Sequence, residues 1–339
     1  MTAELPIAVL GECVADAFVA EPRRSSGDAA PAPLALDVFP GGGPANTAVA
    51  LARLGTPTHF LGRLSHDVFG RLFASRLAES GVDLGHAVRA APEPSTLAVA
   101  DLADDGSADY SFHAQRTADW QWTDAELAAA TADPVGCLHT GSLALVRQPG
   151  AAAVERLLAG IRERATVSVD PNVRPLLVEP ADYRAALPRW CAAADILRLS
   201  DDDLAHLRPG ATPEEGADAF HADGVPLVVV TLGAEGVLAS LDGARLRVPT
   251  PPTPVVDTVG AGDSFMAGFL HALRTAGALG GRLDGLTGQQ VTEALEFGVR
   301  VAAAVVSVRG ANPPWAADLA ADRLTPPGAG RGSGRPGPR

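Results

Sequence analysis

Asp257-Thr258-Val259-Gly260-Ala261-Gly262-Asp263-Ser264-Phe265 runs into Met266, Phe269, Leu270 and Leu273, apolar positions at helical spacing. The stretch reads as a turn of small residues that opens a helix. Small residues at 260 to 262 let main-chain N–H groups approach an anion closely, and the helix behind them adds the positive end of its dipole. Gly260, Ala261 and Gly262 are therefore a candidate oxyanion cradle. Asp263, in the first helical turn, is stabilised in its charged form and could accept a proton from an attacking hydroxyl or orient it. Glycine and aspartate before a helix are also ordinary helix-start signals, so the local pattern leaves both readings open.

Upstream, strand and helix patterns alternate. Cys137 to Thr140, Val167 to Asp170, Ile196 to Leu199 and Leu227 to Leu232 are short apolar runs, separated by helical patterns over 150–164, 181–192 and 213–222. That rhythm belongs to parallel βα units, an α/β class with a mostly parallel sheet. Ligands gather at the carboxyl ends of such strands, where Asp170, Ser200 and Thr231 stand. Ile7 to Leu10 reads as the first buried strand, ending at Gly11 with Asp16 just beyond. A second glycine run, Gly41-Gly42-Gly43-Pro44, opens a helix over Ala45 to Leu54 that stops at Gly55. From Thr96 to His113 the period changes to two around Asp104-Asp105-Gly106, the chemistry of a β-hairpin. With residues 13–20 and 34–40 the segment 96–114 is expected to form a small β lid; the alternative is an edge hairpin of the main sheet.

Composition narrows the partners. The chain has 339 residues, 47% hydrophobic and 20% charged, as expected of a soluble globular protein. A net charge of −13 repels nucleic acid and anionic membranes and leaves a small molecule as the expected partner. There is no lysine anywhere. A Walker A loop, a protein-kinase strand lysine and Schiff-base chemistry are thereby excluded, and any phosphate chemistry must rest on main-chain amides, helix N-termini, arginine and metal ions. Asparagine occurs only at Asn46, Asn172 and Asn312. Cys13, Cys137 and Cys191 are far apart with no C-x-x-C pair, so reduced thiols are expected. With no secretory n- and h-region pattern, the expected location is the cytoplasm. No Gly-x-Gly-x-x-Gly follows the first strand, which sets aside a dinucleotide-binding dehydrogenase.

Asp257 to Phe265 resembles the C-terminal signature of the ribokinase or PfkB family of sugar kinases, and Gly41-Gly42 with Asn46 resembles its N-terminal Gly-Gly-x-x-x-Asn signature. Gly11 to Asp16, Gly62 to Gly70, Asp170 to Pro175, Thr231 to Gly236 and Arg309 to Ala311 match in the same order, so the similarity spans roughly residues 5 to 315. The resemblance implies a three-layer α/β/α ribokinase-like sandwich over residues 1–325 with a β lid often used for homodimer contact, followed by a disordered tail at 326–339. It implies transfer of the γ-phosphoryl of ATP to a sugar hydroxyl, with Mg²⁺. Carried over by position, Asp263 is the catalytic base and Gly260, Ala261 and Gly262 form the anion hole. Asp16, Gly42 and Asn46 bind sugar hydroxyls, while Ser200, Thr231, Gly233 and Gly236 line the nucleotide site. In related kinases Val301 to Asn312 packs on the adenine and, with main-chain carbonyls near Asp257 and Val259, can hold a monovalent cation, so the resemblance leaves K⁺ open as a further cofactor.

Asp170-Pro171-Asn172-Val173-Arg174 resembles the fructokinase and 2-keto-3-deoxygluconate kinase branches. Asn172 falls at the substrate site, and Arg174 is placed to neutralise a phosphate or substrate carboxylate, unless it is a surface arginine beside a turn. Two departures bear on function. The family's Asn-x-x-Glu metal motif appears as Ser200-Asp201-Asp202-Asp203, so Asp203 would reach Mg²⁺ through water, or the three aspartates simply cap a helix. The arginine of the fructokinase-like pattern falls on Ala114, and Arg116, about 7 Å along a strand, is not assigned its role. That absence favours a neutral sugar, most of all fructose, over a keto acid. The competing expectations are a 2-keto-3-deoxygluconate or nucleoside kinase, and a sugar- or nucleotide-binding protein without catalysis. Trp120, Trp122 and Phe112 could stack on a sugar, although aromatics more often serve core or interface.

Overall fold

The computed structural model describes residues 5–19, 34–102 and 108–322. The hairpin turn at Asp104-Asp105-Gly106 and the tail at 326–339 lie outside the described residues. The chain opens with β1 (Ile7–Leu10), β2 (Val14–Val19), β3 (Leu36–Gly41), α1 (Gly43–Arg53), β4 (Thr58–Leu61), β5 (Arg63–Ser65), α2 (Val68–Glu79) and β6 (Val88–Ala91). It continues through β7 (Thr96–Leu102), β8 (Ala108–His113), α3 (Asp124–Ala130), β9 (Cys137–Gly141), α4 (Gly150–Ile161), β10 (Thr166–Asp170), α5 (Pro180–Ala193) and β11 (Ile196–Ser200). The last part holds α6 (Asp201–Leu207), α7 (Pro213–Ala222), β12 (Leu227–Thr231), β13 (Val237–Leu241), β14 (Ala244–Val248), α8 (Ala261–Thr275), α9 (Gly288–Val306) and α10 (Ala316–Asp322).

Eight strands form one sheet in the order β14-β13-β12-β11-β10-β9-β1-β4. From β4 to β12 the neighbours are parallel, and the β13–β14 hairpin closes one edge antiparallel. The apolar runs of these strands are continuous because both faces are covered. Leu227 and Val229 enter one core with residues of α1, α2, α8 and α9, whereas Val228 and Val230 enter a second core with residues of α3 to α7. Two cores separated by one sheet make the three-layer α/β/α arrangement.

A separate four-stranded sheet has the order β3-β2-β7-β8. The hairpin of β7 and β8 is thus joined to β2 rather than to an edge of the main sheet. β2 leaves the main sheet directly after β1, and β3 returns straight into α1, so the segment carrying Asp16 and the Gly41–Gly43 run hangs over the carboxyl end of β1. Asp119, buried near the base of this sheet, accepts hydrogen bonds from the Cys13 amide (3.0 Å) and the Thr96 hydroxyl (2.7 Å), fixing both strand entries. Trp120 and Trp122 are core residues, with the Trp120 indole N–H donating to the Ala114 carbonyl (3.0 Å).

Candidate active site

Gly260 stands before α8 at φ 76, the left-handed region that favours glycine, and Ala311 fills the space where a Cβ would project. The helix therefore starts abruptly. The Ala261 N–H turns back to the Thr258 carbonyl (3.2 Å), whereas the first-turn amides of Gly262 and Asp263 have no carbonyl four residues earlier in the helix to bond. Asp257 holds the approach: its carboxylate accepts from the Val259 amide (3.0 Å) and the Gly310 amide (2.8 Å).

The other glycine run meets this turn. The Asn46 side-chain amide donates to Asp263 Oδ2 (2.9 Å), and the Thr47 hydroxyl donates to the Gly43 carbonyl (3.1 Å) and lies 3.4 Å from the Asp263 carbonyl. A Cβ at Gly43 would stand 2.8 Å from Asn172 Nδ2 and 3.2 Å from Asp263 Oδ1, so the Asn172 amide and the second Asp263 oxygen border the same small space. Asn172 takes φ 42, a left-handed conformation that asparagine tolerates. Asp16 fills the space over Gly41.

Strand alternation supplies the charge beneath. Val167 and Val169 on β10, Leu197 and Leu199 on β11, and Val228 and Val230 on β12 face the α3–α7 core. Asp170, Arg198 and Thr231 therefore face α8. Arg198 is buried, donating to Asp170 Oδ2 and to the Thr231 hydroxyl at 2.7 Å each, and its guanidinium lies over the Phe265 ring at 5.9 Å. A Cβ on Gly262 would stand 2.8 Å from Arg198 Nη2 and 2.9 Å from Nη1, so the positive group abuts the first turn of α8. Asp170 Oδ1 is buried without a hydrogen-bond partner among the described residues.

The helix start does not hold Asp263 in its charged form as the sequence pattern suggests: burial pushes the carboxyl up to about 6, opposed by the Asn46 hydrogen bond and reinforced by the neighbouring Asp170 charge. A carboxylate of that basicity is still ionised near neutral pH yet is a better proton acceptor than an ordinary aspartate. Burial likewise raises Asp16 to about 6, with Arg174 pulling the other way. Burial also raises Asp170 above the usual carboxylate range against the opposing pull of Arg198. Arg198 in turn stays above its ordinary value despite its burial, because Asp170 stands beside it.

Residues 5–318 match the model of the pfkB family carbohydrate kinases. The chain belongs to that family. A fructokinase of Rhizobium leguminosarum bv. trifolii is 36% identical over 239 residues, 70% of this chain and 72% of the relative. A fructokinase of Klebsiella pneumoniae is 36% identical over 241 residues, 70% and 78% of the two chains. Among solved structures, a double mutant of the fructokinase of Vibrio cholerae O395, bound to fructose, ADP and potassium ion, superposes with a TM-score of 0.79 at 27% identity, covering 94% of this chain and 98% of that one.

In this pfkB-family chain, Asp263, Asn46, Asn172, Gly262 and the Asp170–Thr231 pair meet in one region. Arg174 is exposed, and its charge acts on Asp16, Asp170 and Asp263. Ser200 is occupied as the N-cap of α6, in a capping box with Asp203. Asp203 accepts from the Ser200 hydroxyl and amide through Oδ2 and from the Val173 amide through Oδ1 (2.7 Å), tying the turn after β10 to α6. Gly233 and Gly236 form the β12–β13 turn next to Thr231, with φ of 54 and 99. Two buried charged groups of this region have no role assigned from the sequence, although Glu12 lies within the matching Gly11 to Asp16 stretch. Arg198 had one signal, a charge inside the apolar run Ile196-Leu197-Arg198-Leu199, where both faces of a central strand are covered. Glu12 follows β1, is 2% exposed, and its carboxyl is pushed up to about 7 by burial and then partly drawn down by Ser142.

Proposed function

We propose that the protein transfers the γ-phosphoryl of ATP to the terminal hydroxyl of fructose. The observation that carries this reading is the 2.9 Å hydrogen bond from Asn46 to Asp263, which sets the sugar-side glycine run against the helix-start turn. Asp16, Gly42, Asn46, Asn172 and Arg174 surround the sugar. Asp263 accepts the proton of the attacking hydroxyl as its oxygen bonds to the γ-phosphorus and the bond from phosphorus to the ADP oxygen breaks. Charge on the transferring group is met by the start of α8, by Gly260, Ala261 and Gly262, and by Arg198. Thr231, Gly233 and Gly236 line the nucleotide side, with Ser200 acting through α6.

The donor set suits a hard cation: Asp170 Oδ1 is a buried acceptor with no partner among the described residues, and Asp203 lies at the neighbouring strand end. Mg²⁺ held there through water would neutralise the nucleotide phosphates. The carboxylate of Asp257 is spent on two amides, so K⁺ would take main-chain oxygens around Asp257 and Val259, in keeping with the potassium of the Vibrio relative.

Ala114 favours a neutral sugar over a keto acid. It is buried, its carbonyl accepts from Trp120 and from Arg147 (2.7 Å), and Arg116 is exposed at φ 55. Adenosine triphosphate supply and three free, buried cysteines fit the cytoplasm, and among the described residues no helix is long and apolar enough to cross a membrane. The sheet of β2, β3, β7 and β8 serves as the lid and, through exposed Leu36, Phe39 and Tyr110, as a homodimer face. ADP release measured over a panel of fructose, other hexoses, nucleosides and 2-keto-3-deoxygluconate tests the reading. Turnover of fructose is expected; turnover of the keto acid with none on any hexose would overturn it, and fructose binding without ADP release would favour a non-catalytic binder.

A further inference from the structure

At the opposite edge of the main sheet from the β13–β14 hairpin, β4 is an edge strand, and the segment between α2 and β6 runs along it. Asp83 donates its amide to the Thr58 carbonyl (2.9 Å) and accepts from the Phe60 amide (3.0 Å), which places it opposite His59. Its Oδ1 is occupied by the Gly85 amide (2.7 Å), so Oδ2 faces His59 Nε2 at 3.7 Å. Three residues on, the His86 ring stacks on His59 with centroids 4.4 Å apart and planes 24° from parallel. One ligand atom from each of His59, Asp83 and His86 lies within 4.8 Å of the other two. The Val88 amide, bonded to the Gly62 carbonyl (3.0 Å), anchors the segment beyond His86.

We propose that His59, Asp83 and His86 bind a divalent transition-metal ion of the Zn²⁺ class, at a site distinct from the phosphoryl-transfer centre. A tetrahedral Zn²⁺ with bonds of about 2.0 to 2.1 Å holds its ligand atoms about 3.4 Å apart. The His59–Asp83 pair is already near that spacing, and rotation of the half-buried His86 ring completes the triangle. Two imidazoles with one carboxylate select Zn²⁺, Cu²⁺ or Ni²⁺ over Mg²⁺ or Ca²⁺, which take oxygen donors. Asp133 approaches His86 Nε2 at 3.6 Å but lies outside the three-atom group, so it orients His86 rather than ligating the ion. The ion would staple the edge strand to the chain beside it, where open strand edges otherwise invite pairing with other chains.

The test uses the full chain without a histidine tag, stripped with EDTA and dialysed, then titrated calorimetrically with ZnCl₂ in the absence of nucleotide. One equivalent is expected to bind and to raise the melting temperature. His59→Ala, His86→Gln and Asp83→Asn should each weaken binding by more than about 100-fold and abolish the thermal shift, and Asp133→Asn should weaken it less, within the range of about 10- to 100-fold seen for orienting partners. Unchanged fructose phosphorylation with Mg²⁺ and ATP verifies that each variant is folded. No binding by the wild type at millimolar Zn²⁺, or equal binding by the three variants, overturns the proposal.

Discussion

Replacing Asp263 by Asn exchanges one oxygen for an amide nitrogen and can keep the hydrogen bond from Asn46, because the remaining carbonyl oxygen still accepts. The charge is what disappears. Asp263 moves from 3.8 to about 6 on folding, chiefly through burial. A carboxylate raised in this way destabilises the folded state above its folded value, and the penalty vanishes below its unfolded one. Roughly two pH units at about 1.4 kcal/mol each set a ceiling of about 3 kcal/mol near pH 7. Loss of the favourable contact between a negative side chain and the helix start returns about 0.3 to 1 kcal/mol. Asp263→Asn should therefore be more stable than the wild type by about 2 kcal/mol at pH 7, which at about 2.1 cal/mol/K per residue is about 3 °C in melting temperature.

Catalysis should move the opposite way. With no general base, kcat should fall by about 10²-fold or more while fructose still binds, measured by coupled ADP release and by calorimetric titration of the sugar. The stability gap should narrow as pH falls from 7 through 6 towards 4 and close below 3.8, where the wild-type carboxyl is neutral in both states. Subtracting one protein's melting curve from the other's removes the shared titrations of Glu12, Asp16 and Asp119. In the wild type, kcat/KM should drop about tenfold per pH unit below about 6 if this group governs it. A variant of unchanged kcat refutes the base; a variant that melts lower at pH 7, with a gap indifferent to pH, refutes the buried and costly charge.

Arg198→Met should reduce kcat by more than about 10²-fold, as losses of a single charge-stabilising donor do. It should also lower stability by about 3 to 5 kcal/mol by stranding Asp170, and Asp170→Asn in the same chain should restore part of the melting temperature without restoring turnover. If the outer sheet is the proposed homodimer face, Phe39→Asp, where Phe39 packs edge-on against Phe18, should give a monomer by light scattering where the wild type gives a dimer, with the fold intact by circular dichroism; a wild type that is already monomeric overturns that face. Arg116→Ala should leave KM for fructose within about twofold, since the side chain is exposed; a large rise in steady-state assays would show that it reaches the sugar.

Periodicity carried five of the eight main-sheet strands and both helix-opening glycine runs, because continuous apolar strands and small-residue turns leave local marks, whereas β4 and the β13–β14 hairpin at the two edges were not read from it. Helix α1 begins at Gly43, two residues before the apolar pattern does, since Pro44 suits a first turn and is silent in a hydrophobic period. The joining of β7 and β8 to β2 rests on pairings across some eighty residues that no local pattern encodes. The contact of Asn46 with Asp263 spans 217 residues and was reachable only through resemblance. Asp203 shows the reverse case. Its position suits both a metal and a cap, and only the bonds to Ser200 and Val173 reveal how much of the carboxylate the fold itself uses.

Arg198 explains how a chain without lysine can place positive charge at this centre. It lies between Asp170 and Thr231 on three adjacent parallel strands, so the register of the sheet sets the spacing of all three groups. A lysine would offer a point charge on a flexible stem. The guanidinium instead divides its donors between Asp170 and Thr231, lays its face on Phe265 and presents its edge to Gly262. Each contact removes one rotation, and the helix start brings a second positive end to the same place. Asp170, Asp203 and Asp263 all act on the guanidinium, so an anion arriving at the first turn of α8 meets a positive group already fixed among carboxylates. Charge held this rigidly need not reorganise during phosphoryl transfer, and that is where a preorganised site gains over water.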